Sequence, residues 1–453
     1  MRKTFLTILL ITFSVLTVLS QNITGTWNGT LDFGMKKLRI VFHIEKQNGG
    51  YISTLDSPDQ SKFGMPATTT TLTKKILKIN ILQLMATFEG KVKKNSIEGT
   101  FTQMGQTFNL VLTRGNVEIK RPQTPKPPFP YKSEDVYFEN KEDGIILAGT
   151  FTYPRLGNNF PAVILITGSG AQNRDEEILN HRPFAVIADF LTQNGIAVFR
   201  YDDRGTGAST GTYYDADIQD FTTDALSALS YVKNRHEVNN QKIGLIGHSE
   251  GASIAFMIAA QNNDLAYIIS MAGVAIKGDS LMKHQRFLIS KAMDISDKEI
   301  EETEELVKII HATIDKHTAD SVFNFADKFV DEIIPTKSQK NSSVRETYKK
   351  HLQMLASPEI QSFILYDPTE DLQKINCSVL AINGDKDLQV PADINLPIIE
   401  KLLKNKVTIK KYPNLNHLFQ HTETGLLSEY GTIEETISPE VLKDIYNWII
   451  NLK

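Results

Sequence analysis

The 453-residue sequence is poor in cysteine and carries little net charge. Its one cysteine, Cys377, excludes an intramolecular disulfide, and the neighbouring apolar run Val379 to Ile382 predicts a small core residue there. The formal net charge of −4, without a basic stripe, excludes the usual signature of a nucleic-acid-binding protein. Neither a metal-ligand cluster nor a phosphate-binding loop can be found in the sequence. We therefore expect no metal and no other cofactor.

Long apolar runs are also missing, apart from one at the amino terminus. Arg2 and Lys3 precede an uncharged run from Phe5 to Leu19, and Ser20 is a small residue of the kind found at cleavage sites. An uncleaved membrane anchor is the rival interpretation, but it needs a run of about 20 residues. We expect residues 1–20 to be a secretory signal peptide, with no membrane span after its removal. The protein is then periplasmic or extracellular.

The first third of the chain has the pattern of β-structure. From Ile23 to about Arg114 apolar residues alternate with polar ones, and turn residues such as Asn48 to Gly50 recur every eight to twelve positions. This pattern predicts a small all-β domain, a barrel or sandwich, over residues 21–116. A proline-rich stretch follows, from Pro122 to Pro130. It predicts a semi-rigid linker over residues 117–131.

Residues 132–453 alternate between strand and helix patterns. Strands are predicted at 145–152, 162–167, 196–202, 243–246, 267–271, 379–383 and 407–412, and helices at 183–194, 218–234, 249–261 and 439–452. Such alternation predicts a mostly parallel sheet flanked by helices. A charged helical stretch from about 277 to 357 interrupts the alternation. We assign it to an inserted helical lid.

A candidate nucleophile lies in the pentapeptide Gly247 to Gly251. An apolar strand precedes it and an apolar helix pattern follows, so Ser249 falls on a strand-to-helix turn. Such a turn exposes the hydroxyl, and the N–H of Glu250 can face a developing oxyanion. A plain turn serine is the alternative.

A serine nucleophile needs a histidine base and an acid that orients it. In this architecture the order along the chain is serine, then acid, then histidine. Asp387 follows the strand at 379–383, and His417 follows the strand at 407–412. We choose Asp387 over Asp385, which suits the turn itself. We choose His417 over His421, one helical turn later.

The second oxyanion donor should come from the loop after the strand at 162–167. Its glycine-rich start, Thr167 to Gly170, exposes backbone amides, and we name the N–H of Ser169, with Gly168 left open. The same loop carries Arg174, Asp175 and Glu176. These side chains either shape the substrate mouth or form a surface ion pair.

Together with the segments Tyr201 to Gly207 and Asn416 to Gln420, these motifs resemble the α/β-hydrolase superfamily over residues 132–453. Within it they are similar to exported carboxylesterases close to the serine aminopeptidase-like and dienelactone hydrolase-like branches. The resemblance implies the α/β-hydrolase fold and a triad at Ser249, Asp387 and His417. Dienelactone hydrolases proper use a cysteine nucleophile, which this chain replaces by serine.

The sequence therefore predicts a serine hydrolase that cleaves a small-molecule carboxylic ester through an acyl-enzyme. Two alternatives stay open. A serine aminopeptidase-like peptidase would need a carboxylate for the substrate amine, for which Glu301 and its acidic neighbours in the lid are candidates. A non-catalytic binding protein on a hydrolase-like scaffold would not need three matched catalytic groups.

Overall fold

The computed structural model describes residues 22–32, 37–47, 49–57, 62–103, 105–115, 120–334 and 342–452. The chain divides into two compact units, residues 1–118 and 119–453. The predicted signal peptide at 1–20 lies outside the described residues. Within the described part, no helix has the length and apolar character needed to cross a membrane.

The first unit is a β-barrel. Its strands among the described residues are β1 (Gly25–Asp32), β2 (Lys37–Gln47), β3 (Gly50–Ser57), β4 (Lys62–Pro66), β5 (Thr69–Thr73), β6 (Ile76–Ile81), β7 (Ala86–Val92), β8 (Ser96–Gln103) and β9 (Gln106–Arg114). They pair in the order β2-β1-β9-β8-β7-β6-β5-β3-β4, and an additional β2–β3 pairing closes the sheet. Alternate side chains, among them Trp27, Phe42 and Phe88, fill the interior. Of the two architectures left open by the sequence, the structure has the barrel.

The second unit is built on one mixed sheet. Its strands are β10 (Lys132–Asn140), β11 (Ile145–Tyr153), β12 (Phe160–Ile166), β13 (Ala197–Tyr201), β14 (Val238–His248), β15 (Tyr267–Met271), β16 (Ser378–Gly384) and β17 (Val407–Tyr412). The order is β10-β11-β13-β12-β14-β15-β16-β17. Strands β10 and β11 pair antiparallel at one edge, and β13 to β17 lie parallel to β12. Every predicted strand is present. The edge strand β10 was not predicted, because its polar alternation resembles the linker beside it.

Helices cover both faces of this sheet. They are α1 (Pro183–Gln193), α2 (Ile218–Lys233), α3 (Glu250–Gln261), α4 (Gly278–Ala292), α5 (Asp297–His317), α6 (Ala319–Asn324), α7 (Val330–Ile333), α8 (Ser342–Leu355), α9 (Pro358–Leu365), α10 (Thr369–Lys374), α11 (Ala392–Leu403), α12 (Leu427–Tyr430) and α13 (Pro439–Ile450). Helices α2, α3 and α11 pack into one apolar core. Helices α1 and α13 pack into the core of the other face. The predicted α/β-hydrolase architecture is confirmed.

The inserted helical segment is longer than predicted. Helices α4 to α8 fall within the predicted stretch 277–357, but α9 continues the helical insertion to Leu365. Ser357 caps α9 by accepting the N–H of Ile360, and Pro358 occupies its first turn. A serine–proline pair of this kind starts a helix, whereas the sequence analysis ended the lid there. The insertion has its own small core, which includes Ile310, Val322 and Leu352.

The proline-rich segment differs from the linker that was predicted at 117–131. Its described part belongs to the second unit and is held there by polar contacts. The Arg121 guanidinium donates to the carbonyls of Leu179 (2.9 Å) and Ile433 (2.7 Å). The Gln123 amide donates to the carbonyl of Ile437 at 2.7 Å. Proline excludes helix and central strand, but it does not prevent flanking side chains from binding a neighbouring surface.

Candidate active site

Ser249 occupies a strained turn between β14 and α3. Its backbone has φ 54° and ψ −117°, a left-handed conformation that costs a non-glycine residue about 1–3 kcal/mol. Gly247 and Gly251 must be glycines because neighbouring backbone atoms leave no room for a Cβ, not because of their own φ angles. A Cβ on Gly247 would lie 2.1 Å from the carbonyl oxygen of Gly251, and a Cβ on Gly251 would lie 2.2 Å from that of Ile166. The pentapeptide thus fixes Ser249 at the end of the strand.

Asp387 and His417 are brought together by the loops after β16 and β17. Oδ2 of Asp387 lies 2.7 Å from Nδ1 of His417, and the Asp387 side chain has no exposed surface. Its other oxygen accepts the N–H groups of Gln389 (2.8 Å) and Val390 (2.9 Å). These bonds fix the orientation of the carboxylate. Because an ionised carboxylate only accepts, Nδ1 of His417 carries the proton and Nε2 presents a lone pair.

The two rival residues lie outside this arrangement. Asp385 is exposed, and its carboxylate accepts the N–H of Asn414 at 2.6 Å, so it stabilises the turn. His421 is 62% exposed on its side chain and pairs instead with Glu435 at 2.8 Å. Neither side chain contacts the Asp387–His417 pair.

The loop that carries His417 lies directly beside Ser249. His248, the residue before the serine, donates from Nε2 to the carbonyl oxygen of His417 at 2.9 Å. The two imidazole rings have centroids 4.6 Å apart. Asn416 stiffens the loop, since its side-chain oxygen accepts the N–H groups of Leu418 and Gln420, each at 3.0 Å.

The glycine-rich loop after β12 lies on the other side of the serine. A Cβ on Gly168 would be 3.3 Å from Cβ of Ser249, so this backbone packs against the nucleophile candidate. The Gly168 amide donates to the Glu176 carboxylate at 2.8 Å, and the Gly170 amide donates to the Tyr213 hydroxyl at 2.8 Å. Between them, the Ser169 amide has no hydrogen-bond acceptor among the described residues.

The N–H of Glu250 is the second free amide at this place. Glu250 is the first residue of α3, and the first N–H groups of a helix have no acceptor within the helix. A negatively charged oxygen is favoured at such a helix terminus, because the aligned peptide dipoles leave a partial positive charge there. Both amides that the sequence analysis named are therefore open to an oxyanion.

The Arg174–Asp175–Glu176 run forms ion pairs both at the surface, where Arg174 binds the exposed carboxylate of Asp135 at 3.2 Å, and with buried partners. The Arg174 guanidinium binds the buried carboxylate of Asp202 at 2.7 Å, and Asp175 pairs with Arg200. Glu176 is 4% exposed. The run anchors the loop from below, a role that the sequence analysis missed because the partners are distant in the chain.

Burial raises the pKa of two carboxyl groups next to the site, so both favour the neutral form at pH 7. Burial, with the negative charge of Glu359 as a further cause, raises the pKa of Glu250 from 4.5 to about 8. Burial likewise raises the pKa of Asp203 to about 8, against the hydrogen bond from Thr167. Both side chains line a small cavity, with Tyr213 on its wall. Within the described residues no group of three histidine, cysteine or acidic side chains is placed to hold a metal ion.

The neutral Glu250 makes stability fall as the pH rises. Its folded-state pKa lies above the unfolded value, so its contribution is complete below pH 4.5 and is lost as the pH rises toward 8. We expect Glu250→Gln to match the wild-type Tm at pH 5 and to exceed it by roughly 3 °C at pH 9. Thermal unfolding at both pH values checks this. The exposed lid residue Glu301, changed to glutamine, is the control, and an equal Tm difference at both pH values for Glu250→Gln would contradict the account.

Comparison with known proteins places the chain in a family. A family model described as serine aminopeptidase, S33, matches residues 181–424, more than half of the chain. Esterase EstD of Thermotoga maritima is 24% identical over 318 residues, which are 69% of this chain and 68% of that protein. The uncharacterized protein YfhR of Escherichia coli K12 is 34% identical over 128 residues, 28% of this chain and 41% of that protein.

Two solved structures are similar to part of this chain. The α/β hydrolase GrgF from a Penicillium species is 18% identical, and the alignment covers 71% of this chain and 99% of that chain with a TM-score of 0.44. The Pyrococcus furiosus esterase Pf2001 is 14% identical, with 71% and 93% covered and a TM-score of 0.42. The fold assignment rests on the strand order of the sheet and on the family match.

The second unit is thus an α/β hydrolase with an inserted helical lid. The chain belongs to the serine aminopeptidase (S33) family of this superfamily, and it is similar to the esterase EstD.

Proposed function

We propose that this protein is a serine carboxylesterase whose triad is Ser249, Asp387 and His417. The observation that carries the proposal is the buried Asp387–His417 pair, 2.7 Å apart, on a loop that contacts the residue next to the strained Ser249. A buried carboxylate that orients an imidazole is the arrangement that activates a serine hydroxyl. The substrate is a small-molecule carboxylic ester.

In the proposed reaction His417 takes the proton of Ser249 through Nε2 as the hydroxyl oxygen attacks the ester carbonyl. The N–H groups of Ser169 and Glu250 donate to the oxyanion of the tetrahedral intermediate. Donors that are already fixed in place are worth about 2.7–4 kcal/mol each in such sites. The intermediate collapses to the acyl-enzyme while His417 returns the proton to the departing alcohol. Water then repeats the sequence and releases the acid.

The choice of Ser169 over Gly168 follows from the hydrogen bonds of the loop. The Gly168 amide is engaged by Glu176 at 2.8 Å, whereas the Ser169 amide has no acceptor in the described part of the chain. An engaged amide would have to break one hydrogen bond to make another. The free amide therefore suits the oxyanion better.

A peptidase that releases amino-terminal residues is the second candidate, and one observation favours it. Glu359 of α9 reaches the glycine-rich loop, where its carboxylate accepts the Gly170 amide (3.1 Å) and the Tyr213 hydroxyl (2.7 Å). A carboxylate close to Ser249 is what a substrate ammonium would need. However, Glu359 already serves two donors, and the adjacent Glu250 is neutral at pH 7 because burial raises its pKa to about 8.

A paired substrate panel distinguishes the two candidates. Short-chain acyl esters and aminoacyl anilides are compared by kcat/KM with wild-type protein and with Glu359→Gln. If the protein is an esterase, it should hydrolyse uncharged acyl esters, and Glu359→Gln should hydrolyse them as well. Preferential cleavage of anilides with a free amine, lost on Glu359→Gln, would replace the proposal by the peptidase. Extending the ester panel in chain length then defines the acyl group.

The β-barrel should be dispensable for the chemistry, because every residue of the proposed site lies in the second unit. A chain that starts at Lys120 is expected to keep kcat/KM within about twofold on a soluble ester. A chain that starts at Tyr131 loses the contacts of Arg121 and Gln123 and should unfold at a Tm several degrees lower. Kinetics and thermal unfolding of both truncations test this. Equal Tm values would show that the proline-rich segment is a spacer after all.

A further inference from the structure

Beneath the serine lies a second histidine–carboxylate pair, which the proposed triad does not use. It is formed by Glu176 and His248, which are only 4% and 5% exposed. Oε1 of Glu176 lies 2.9 Å from Nδ1 of His248. Glu176 is held at φ 52°, in the left-handed region that a glutamate seldom adopts. Strained backbone conformations cluster at functional sites, so this buried pair is a candidate for a functional role.

The hydrogen bonds of His248 define its protonation. Nδ1 faces the Glu176 carboxylate and Nε2 faces the carbonyl oxygen of His417 at 2.9 Å. Both partners are acceptors, so both ring nitrogens donate and the ring is an imidazolium. Burial lowers the pKa of His248, but the charge and hydrogen bond of Glu176 and the His417 carbonyl outweigh it, with a smaller contribution from Asp387. The net pKa is raised. The ring of Phe419 is the apolar neighbour on this side.

The pair connects the two loops that lie on either side of Ser249. Oε1 of Glu176 also accepts the Gly168 N–H at 2.8 Å. This bond fixes the Thr167–Gly168 peptide, one residue before the Ser169 amide. His248 in turn holds the backbone of His417. One chain of hydrogen bonds therefore runs from the oxyanion loop to the loop of the base.

We infer that Glu176 and His248 are positioning residues, which hold the Ser169 amide and His417 in register with Ser249 and place a cation beside His417. The inference rests on the proposed esterase function. The imidazolium ring lies 4.6 Å from the ring of His417, and its counter-charge, Glu176, binds Nδ1, whereas Nε2 donates to the His417 carbonyl. A cation at this distance opposes protonation of a neighbouring imidazole.

The test is the pH dependence of kcat/KM for Glu176→Gln on a short-chain ester. The neutral amide removes the counter-charge, so His248 loses its second proton and keeps the N–H that donates from Nε2 to the His417 carbonyl. No single atom of the glutamine amide can both accept the Gly168 N–H and donate to Nδ1, so one of the two contacts that Oε1 of Glu176 makes is lost. We expect the midpoint of the acid limb to rise by about 0.5–1 pH unit and kcat to fall roughly tenfold, with KM changed less than about twofold. Glu176→Asp keeps the charge on a shorter side chain. It should keep the wild-type midpoint while kcat falls.

Glu435→Gln is the matched control. It breaks an equivalent histidine–glutamate pair, Glu435 with His421, near the same loop but at the surface. Its midpoint and kcat should equal those of the wild type. If Glu176→Gln is folded and keeps the wild-type midpoint, or if its whole effect is a lower fraction of enzyme that a fluorophosphonate titrates, the pair is merely structural and the inference fails.

A measurement on the wild-type protein removes dependence on any one variant. In a ¹⁵N-histidine pH titration, the signal that is missing from His248→Gln should still be in its imidazolium form at pH 6.5, the ordinary pKa of a histidine. A His248 that is already neutral at that pH would overturn the inference. Failure of the proposed function is recognised separately, because wild-type protein would then not hydrolyse esters or Ser249→Ala would still do so.

Discussion

Replacing Ser249 by alanine is expected to lower kcat for ester hydrolysis by about a million-fold while the fold is preserved. Loss of the nucleophile removes the acyl-enzyme route and leaves only binding and the oxyanion donors, and losses of this size are typical of serine hydrolases. The Tm should not fall, since alanine tolerates the strained turn about as well as serine does. Steady-state kinetics and thermal unfolding together measure both effects.

Ser253→Ala is the control for this substitution. Ser253 is fully buried in the same helix, three residues into the run that follows Glu250, and takes no part in the proposed reaction. Its activity should remain within a few-fold of the wild type. If Ser249→Ala kept more than about one hundredth of the wild-type activity, well above the activity expected without a nucleophile, another group would have to attack the substrate.

Asp387→Asn is expected to lower kcat by about ten-thousand-fold, the loss seen when the acid of a well-studied triad is changed to its amide. The asparagine can turn its NH₂ group toward His417, so that Nδ1 becomes an acceptor and Nε2 carries the proton. The base then has no lone pair for Ser249. The buried N–H groups of Gln389 and Val390 still find an acceptor in the amide oxygen, so the loop should fold.

Asp385→Asn separates this effect from damage to the loop. Asp385 lies two residues away on the same turn, is exposed, and accepts only the N–H of Asn414 among the contacts of its side chain. We expect its kcat to stay within a few-fold of the wild type and its Tm to fall slightly. If Asp385→Asn lowered kcat more than Asp387→Asn does, Asp385 would be the acid of the triad.

The architecture could be predicted where the sequence signal is local. Buried parallel strands are short apolar runs, and β15 has the bounds that its run predicts. The barrel closure could not be predicted, because β9 pairs with β1 from the other end of the unit and this pairing depends on how far the sheet coils. The contacts of Arg121 with Ile433 and of Gln123 with Ile437 were missed because these partners lie 312 and 314 residues further along the chain.

The proposed site could likewise be predicted only in part. Ser249, Asp387 and His417 each follow a strand end, so their meeting at one sheet edge could be expected from strand order. The Glu176–His248 pair could not, since it needs the left-handed backbone of Glu176 and a contact across 72 positions. Its only local signal is the compact Arg174–Glu176 run of charges next to glycines. Charge in a glycine-rich loop is more often solvated than buried.

The most direct test of the account is to locate the nucleophile chemically. Wild-type protein is treated with a fluorophosphonate, digested, and mapped by mass spectrometry, alongside Ser249→Ala and Asp387→Asn. The account predicts one phosphonyl group per chain, on Ser249, with no labelling of Ser249→Ala and much slower labelling of Asp387→Asn. An unlabelled wild-type protein, or a label on any other residue, would contradict it.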